Sequence, residues 1–326
     1  MKPNILFSRT LYPIIPSTDT VFKSVPLQYY TRPEIYNCSK AEKLRLLLKT
    51  VTDTHRLAVH HACSHVILCN ANNEVPLAGI ISRIIRPAYK LVAFDYQMPS
   101  FDRHDKTIAK LLTNFSSVIV IRSGDQIPLN VRFGIPTSKM SFVKLPIVGN
   151  LPVKPETLGS YIYSGGTARR DWVTFCNALD GLSMNAKVVT NTNLSDIRSV
   201  VPPNIEEVGL LRAAEARTIM EASELVCLSF HETFLSSGPL VLLDAMAAGK
   251  AIVATECNAT RDYLTHRHNG MLFKPNDHVA LRSELVALHD DMQLRQHLGK
   301  NARQTIIDEH MPQQFYNCLL NILDLA

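Results

Sequence analysis

Apolar residues along this 326-residue chain come in short continuous runs, separated by longer segments of mixed polarity. After a first run at 4–7, runs at 66–69, 91–94, 117–121 and 141–145 alternate with helix-length segments at 41–51, 75–85 and 104–115. Runs this short suit strands buried on both faces, and the segments between them have helical length and spacing. Residues 1–35 otherwise read as a loop rich in Pro, Thr, Ser and Tyr. The alternation pauses at 146–159, a Pro- and Gly-containing stretch with no period that reads as a linker. It then restarts, with strands at 161–163, 187–190, near 207, at 225–228 and 252–254, and helices at 172–182, 213–222, 240–248, 279–289, 292–309 and 315–325. Two successive alternations predict an α/β chain of two doubly wound, Rossmann-like domains, 1–148 and 149–310.

Two stretches carry candidate chemistry. In 230–255, FHETFLSSGPLVLLDAMAAGKAIVAT, a polar loop runs into an apolar helix holding one carboxylate, Asp244, then a glycine stop and a buried strand. Pro239 suits a helix start, where its missing N–H is no loss, and Gly249 suits the left-handed position past the helix end. The amides of Ser237, Gly238 and Leu240 would then face an anion with help from the helix dipole. The bland reading is a helix-and-strand unit of any α/β protein. In 161–172, YIYSGGTARRDW, a strand ends in a Gly165–Gly166 turn followed by Arg169 and Arg170. Such a turn lets backbone approach a phosphate, and arginine can hold a diphosphate bidentately. The spacing is not that of a dinucleotide fingerprint, and 248–251 is not a P-loop. Asp171 reads as a helix N-terminal residue.

Composition narrows the class. The chain is 46% hydrophobic, with no window near the roughly 20 apolar residues of a membrane span. Its seven scattered cysteines suggest reduced thiols and a cytoplasmic protein. The formal charge of +5 suits an anionic donor, an anionic lipid surface or nucleic acid without choosing among them. The segment 41–51 is basic on one face and leucine-rich on the other. It reads as an ordinary surface helix, with a membrane-surface patch as the sharper alternative. His60, His61, Cys63 and His65 lack the pattern of a zinc site and are read as structural. Asp95, at a strand end, is a candidate acceptor-side base.

The ending Asp244-Ala-Met-Ala-Ala-Gly249-Lys-Ala-Ile-Val-Ala resembles the donor-binding segment of the large retaining glycosyltransferase family four, the glycosyl transferases group 1 type. The segments Asp262-Tyr263, His268-Asn-Gly-Met-Leu-Phe-Lys-Pro-Asn-Asp277 and Leu298-Gly-Lys-Asn-Ala-Arg303 are similar to further family motifs. So is the placement of Gly209 fifteen residues before Glu224. The likeness is specific over about 160–310; over 65–145 it is a matching rhythm of elements.

The resemblance implies a GT-B fold, in which two Rossmann-like domains face across a cleft and a C-terminal helix, here 311–326, packs back across the junction. It implies transfer of a sugar from a UDP- or GDP-sugar to a saccharide or lipid-linked acceptor, retaining and metal-independent, with no cofactor. Gly165, Gly166 and Arg170, with Arg169 as alternate, would hold the diphosphate, and Arg170 would act catalytically. Gly209, Ser236, Ser237, Gly238, Pro239 and Leu240 would complete the donor site, and Asp244 would accept from the ribose hydroxyls. Asp244 takes the family's second acidic position, while Ser236 or Glu232 takes the first; Glu232 would touch the donor sugar. Envelope-polysaccharide synthesis at the inner membrane face is the expected setting, and no interleaving of aromatic and basic residues points to nucleic acid. The alternatives are a GT-B partner subunit without catalysis, a sugar-nucleotide epimerase, or a glycosyltransferase acting on a nucleic-acid base.

Overall fold

A computed structural model describes residues 5–7, 22–24, 40–69, 74–96, 109–110, 112, 114–152, 159–197, 201–232 and 239–325. The chain divides into two compact units, Met1–Val143 with Asn317–Ala326, and Lys144–Tyr316.

The first unit holds a six-stranded sheet. Its strands are β1 (Ile5–Phe7), β2 (Phe22–Ser24), β3 (His65–Cys69), β4 (Lys90–Phe94), β5 (Ser117–Val120) and β6 (Met140–Phe142), in the order β2-β1-β3-β4-β5-β6 with every pair parallel. β3, HVILC, is buried along its whole length, as a central strand covered on both faces must be. The helices are α1 (Lys40–His60), α2 (Glu74–Ile85) and α3 (Gln126–Phe133). Val66, Leu68, Ala93, Leu112, Phe115, Val118, Leu129 and Phe133 form the centre of the core.

Two elements escape the hydrophobic pattern. β2 falls in the stretch read as loop; three residues are too few to show an alternation, and pairing with β1 alone defines them. α3 carries Pro128, tolerated because it lies in the first turn, and it ends on Gly134 at φ +65°. The helix expected at 104–115 lies mostly outside the described residues.

The second unit has β7 (Tyr161–Gly165), β8 (Asn185–Val189), β9 (Ile205–Glu207), β10 (Leu225–Leu228), β11 (Ile252–Thr255) and β12 (Met271–Phe273). Their order is β12-β11-β10-β7-β8-β9, again all parallel. The helices are α4 (Trp172–Leu179), α5 (Ala213–Ala222), α6 (Leu240–Ala247), α7 (His278–Asp290) and α8 (Met292–Glu309). The last helix, α9 (Pro312–Ile322), begins in this unit and ends in the first.

α6 stops as its glycine requires. Gly249 takes φ +66°, its N–H donates to the Met246 carbonyl at 2.9 Å, and the Lys250 N–H donates to the Ala245 carbonyl at 3.1 Å. Where α6 meets α8, a Cβ on Gly299 would lie 2.1 Å from the Gly249 carbonyl oxygen, so only glycine allows this approach. At the end of α8, the His310 ring stacks on Tyr263 with centroids 5.3 Å apart, and its Nδ1 lies 2.7 Å from the Leu145 carbonyl oxygen.

Candidate active site

From β7 the sheet of the second unit runs to β8 and β9 on one side, and to β10, β11 and β12 on the other. The carboxyl ends of β7 and β10 therefore flank its topological switch point, where open α/β sheets leave a crevice. The Gly165–Gly166 turn ends β7 at this place.

Gly166 takes φ +117°, a conformation costly for any side chain, and its N–H donates to the Val189 carbonyl at 3.0 Å. Arg170 then bridges antiparallel to Phe230, just beyond β10. On either side of that bridge, the His231 N–H donates to the Arg169 carbonyl at 3.1 Å and the Asp171 N–H to the Ser229 carbonyl at 3.0 Å. The segments leaving β7 and β10 are thus fastened together. Asp171 caps α4, accepting from the Thr174 N–H at 3.0 Å and hydroxyl at 2.6 Å. This is the helix-terminal role expected of it.

The two arginines part company. Arg169 is exposed, at φ +55°. Arg170 is buried: Nε donates to the Gly165 carbonyl at 2.8 Å, Nη1 donates to the Ala168 carbonyl at 3.2 Å, and Cζ lies 4.1 Å from the Phe230 ring centroid. Burial pushes the guanidinium down to about 10, which leaves it charged at neutral pH. No carboxylate pairs with it among the described residues. The seat exists because neither glycine has a side chain: a Cβ on Gly166 would lie 2.2 Å from Arg170 Nη2, and one on Gly165 would lie 2.2 Å from the Tyr163 hydroxyl.

Tyr163 is buried, and its hydroxyl is pushed up to about 12 chiefly by that burial, with Arg170 opposing and Asp244 reinforcing the shift. It thus feels both Arg170 and Asp244. Asp244, on α6, accepts from Arg217 Nη2 on α5 at 2.8 Å. Its carboxyl is raised by burial, against the lowering effect of the Arg217 charge and hydrogen bond.

Glu232 is exposed and pairs with Arg261 at 3.3 Å. Past β11, Glu256 pairs with Lys274 at 2.5 Å, and the Lys274 hydrogen bond is the main reason its carboxyl is lowered. Pro239 is buried at the N-cap of α6, directly before Leu240. Ser236, Ser237 and Gly238 lie outside the described residues. Gly209, at φ +83° between β9 and α5, has no atom within 4 Å of a Cβ position, so conformation alone argues for glycine there.

Asp95 belongs to the first unit. It directly follows β4 at φ +47°, is 4% exposed, and accepts from Arg122 Nη2 at 3.2 Å, while the same guanidinium nitrogen donates to Asp125 at 2.5 Å. Burial, reinforced by Asp125 and opposed by Arg122, pushes its carboxyl up to about 7. Sequence reading found the arginines and glycines of the turn but missed Tyr163, Arg217, Phe230 and Arg261. Arg217, Phe230 and Arg261 reach it through pairings distant in sequence, whereas Tyr163 lies on β7 two residues before Gly165, where it reads as one more residue of a buried strand. Among the described residues, no group of three His, Cys, Asp or Glu side chains could hold a metal, and no helix is long and apolar enough to cross a membrane.

Residues 204–305 match the family model for glycosyl transferases group 1. A segment of 90 residues is 32% identical to the N,N'-diacetylbacillosaminyl-diphospho-undecaprenol alpha-1,3-N-acetylgalactosaminyltransferase of Campylobacter jejuni subsp. jejuni serotype O:2. That match covers 27% of this chain and 23% of the relative. Among solved structures, Anabaena Alr3699/HepE in complex with UDP superposes with a TM-score of 0.74 at 16% identity, over 100% of both chains. A glycosyltransferase from Rickettsia africae gives 0.73 at 12% identity, over 99% of this chain and 98% of that one. At these identities the superpositions establish the fold.

Proposed function

We propose that this chain, whose residues 204–305 match the glycosyl transferases group 1 model, moves a sugar from a nucleoside-diphosphate donor to a saccharide or lipid-linked acceptor. One observation carries the reading. Arg170 is a buried cation without a carboxylate partner among the described residues, seated at the switch point of the second sheet. A buried charge is costly unless an opposite charge meets it, and a donor diphosphate would supply one. As the glycosidic bond breaks, its electron pair passes to the β-phosphate oxygen. A fixed cation aimed there lowers that barrier without reorganising. Gly165 and Gly166 make room for the guanidinium, with Arg169 exposed beside them and Gly209 in the loop after β9.

Asp244, oriented by Arg217, would accept from the ribose hydroxyls. Ser236, Ser237, Gly238, Pro239 and Leu240 would line the phosphates from the α6 side, and Glu232 would meet the donor sugar. On the acceptor side, Asp95 is the named base, since a carboxyl raised to about 7 can take a proton near neutral pH. Retention without a metal, and a UDP-sugar donor, complete the proposal. The UDP bound to the Anabaena relative supports that donor class, and the undecaprenol-linked name of the Campylobacter relative supports a lipid-linked acceptor met at a membrane face.

The test is release of nucleoside diphosphate from a panel of UDP- and GDP-sugars by wild type, Arg170→Ala and Asp244→Ala. Slow release by wild type, abolished in both variants, supports the proposal. Tight binding with no release, even with acceptor extracts, would make the chain a non-catalytic partner. Conversion of the sugar without acceptor would make it an epimerase.

A further inference from the structure

A diphosphate carries more than one negative charge, and Arg170 alone supplies one positive charge. The other cations of the site are already paired: Arg217 with Asp244, Arg261 with Glu232, and Lys274 with Glu256. That leaves Arg169 and His231. Arg169 is exposed, and its guanidinium enters no hydrogen bond or ion pair among the described residues. His231 lies opposite it on the bridged segments that leave β7 and β10, its N–H donating to the Arg169 carbonyl at 3.1 Å, and its side chain is 53% exposed. Both are held in place. Arg169 keeps φ +55°, a left-handed conformation that a residue other than glycine retains only where its surroundings over-determine it. Here the bonds from His231 to Arg169 and from Asp171 to Ser229 fix the backbone on both sides of Arg170. The imidazole is oriented as well. Its Nδ1 lies 3.9 Å from Asp171 Oδ2, and that carboxylate is fixed in turn as the cap of α4 by Thr174.

With Nδ1 turned toward Asp171, Nε2 is the ring nitrogen left for a ligand. One residue further along is Glu232, which meets the donor sugar in the reading above. The phosphate that carries the sugar therefore comes nearest to His231. We propose that His231 binds this sugar-linked phosphate, Nε2 donating to a phosphate oxygen, with Arg169 beside it as the second cation of the subsite. Arg170 meets the diphosphate from its buried seat, and His231 and Arg169 meet it from the solvent side. The inference rests on the donor reading and adds a selectivity to it: His231 makes the site favour nucleoside diphosphates over monophosphates, which lack the phosphate it holds.

The full chain is titrated calorimetrically with UDP, GDP and the matching monophosphates. His231→Ala should weaken binding of the diphosphate that wild type takes about tenfold, the scale of one charge-assisted hydrogen bond, and leave the monophosphate unchanged. His231→Gln keeps an N–H within reach and should recover part of that loss. Arg169→Ala should weaken the diphosphate about fivefold. Urea midpoints of these variants should match wild type, because both side chains are exposed. Wild-type diphosphate affinity in His231→Ala would overturn the inference. So would equal losses for diphosphate and monophosphate, which mark a distorted turn and no phosphate contact. If Arg170→Ala abolishes diphosphate binding while His231→Ala spares it, the donor reading stands and this inference falls. If wild type binds neither diphosphate, both fall.

Discussion

Replacing Gly166 by alanine tests whether the Arg170 seat holds the donor. The residue sits at φ +117°, where a side chain is strained, and the new Cβ would lie 2.2 Å from Arg170 Nη2, 2.7 Å from Cζ and 2.8 Å from Nε. The guanidinium would have to leave, losing its bond to the Gly165 carbonyl and its position over Phe230. Strain and the lost charged hydrogen bond together should cost about 2–4 kcal/mol of folding stability, since the displaced group regains water. If the guanidinium meets a phosphate, its displacement should cost a further charge-assisted contact, about 1.5–3 kcal/mol, or roughly 10- to 150-fold in Kd. Urea unfolding and calorimetric titration with the nucleoside diphosphate that wild type binds measure the two effects separately. Gly134→Ala is the control: φ is +65°, with nothing within 4 Å of a Cβ and a place in the other unit. It should lose about 1 kcal/mol of stability and no affinity. A Gly166→Ala protein that binds the nucleotide as tightly as wild type would refute the placement of the diphosphate at Arg170.

Arg217→Ala removes the group that holds Asp244 down, so the carboxyl should titrate at higher pH, and nucleotide affinity should fade at a higher pH than in wild type. Because the pair is part-exposed, the stability change should stay below about 1 kcal/mol. Asp95 has a folded-state carboxyl raised from 3.8 to about 7. Its contribution to stability is therefore full below about pH 4 and lost as pH rises through 7. Asp95→Asn should remove that fall from urea-unfolding curves taken across the interval; an unchanged slope would place the titration elsewhere. Gly299→Ala drives a methyl against the Gly249 carbonyl and should cost about 1–3 kcal/mol in thermal melts, from overpacking between α6 and α8.

The sequence by itself determined the periodicity. Runs such as 225–228 and 252–254 suited strands buried on both faces, and Gly249 suited the position past the end of α6, because these choices depend on neighbours a few residues away. The Gly165–Gly166 turn and the two arginines after it were likewise legible as a turn, since a turn between a strand and a helix is written in one local stretch. β2 and α3 were not, one being too short to carry a pattern and the other opening with a proline in its first turn.

Only the tertiary structure distinguished Arg170, buried on Phe230, from exposed Arg169. It also paired Asp244 with Arg217 across 27 residues and Asp95 with Arg122 across the same separation. Asp95 and Arg122 meet because the strands they follow, β4 and β5, are neighbours in the first sheet, and Arg170 meets Phe230 because β10 lies beside β7 although β8 and β9 intervene in sequence. Contact between residues so distant depends on how the sheet is wound, a property of all its strands together that no single stretch of sequence carries.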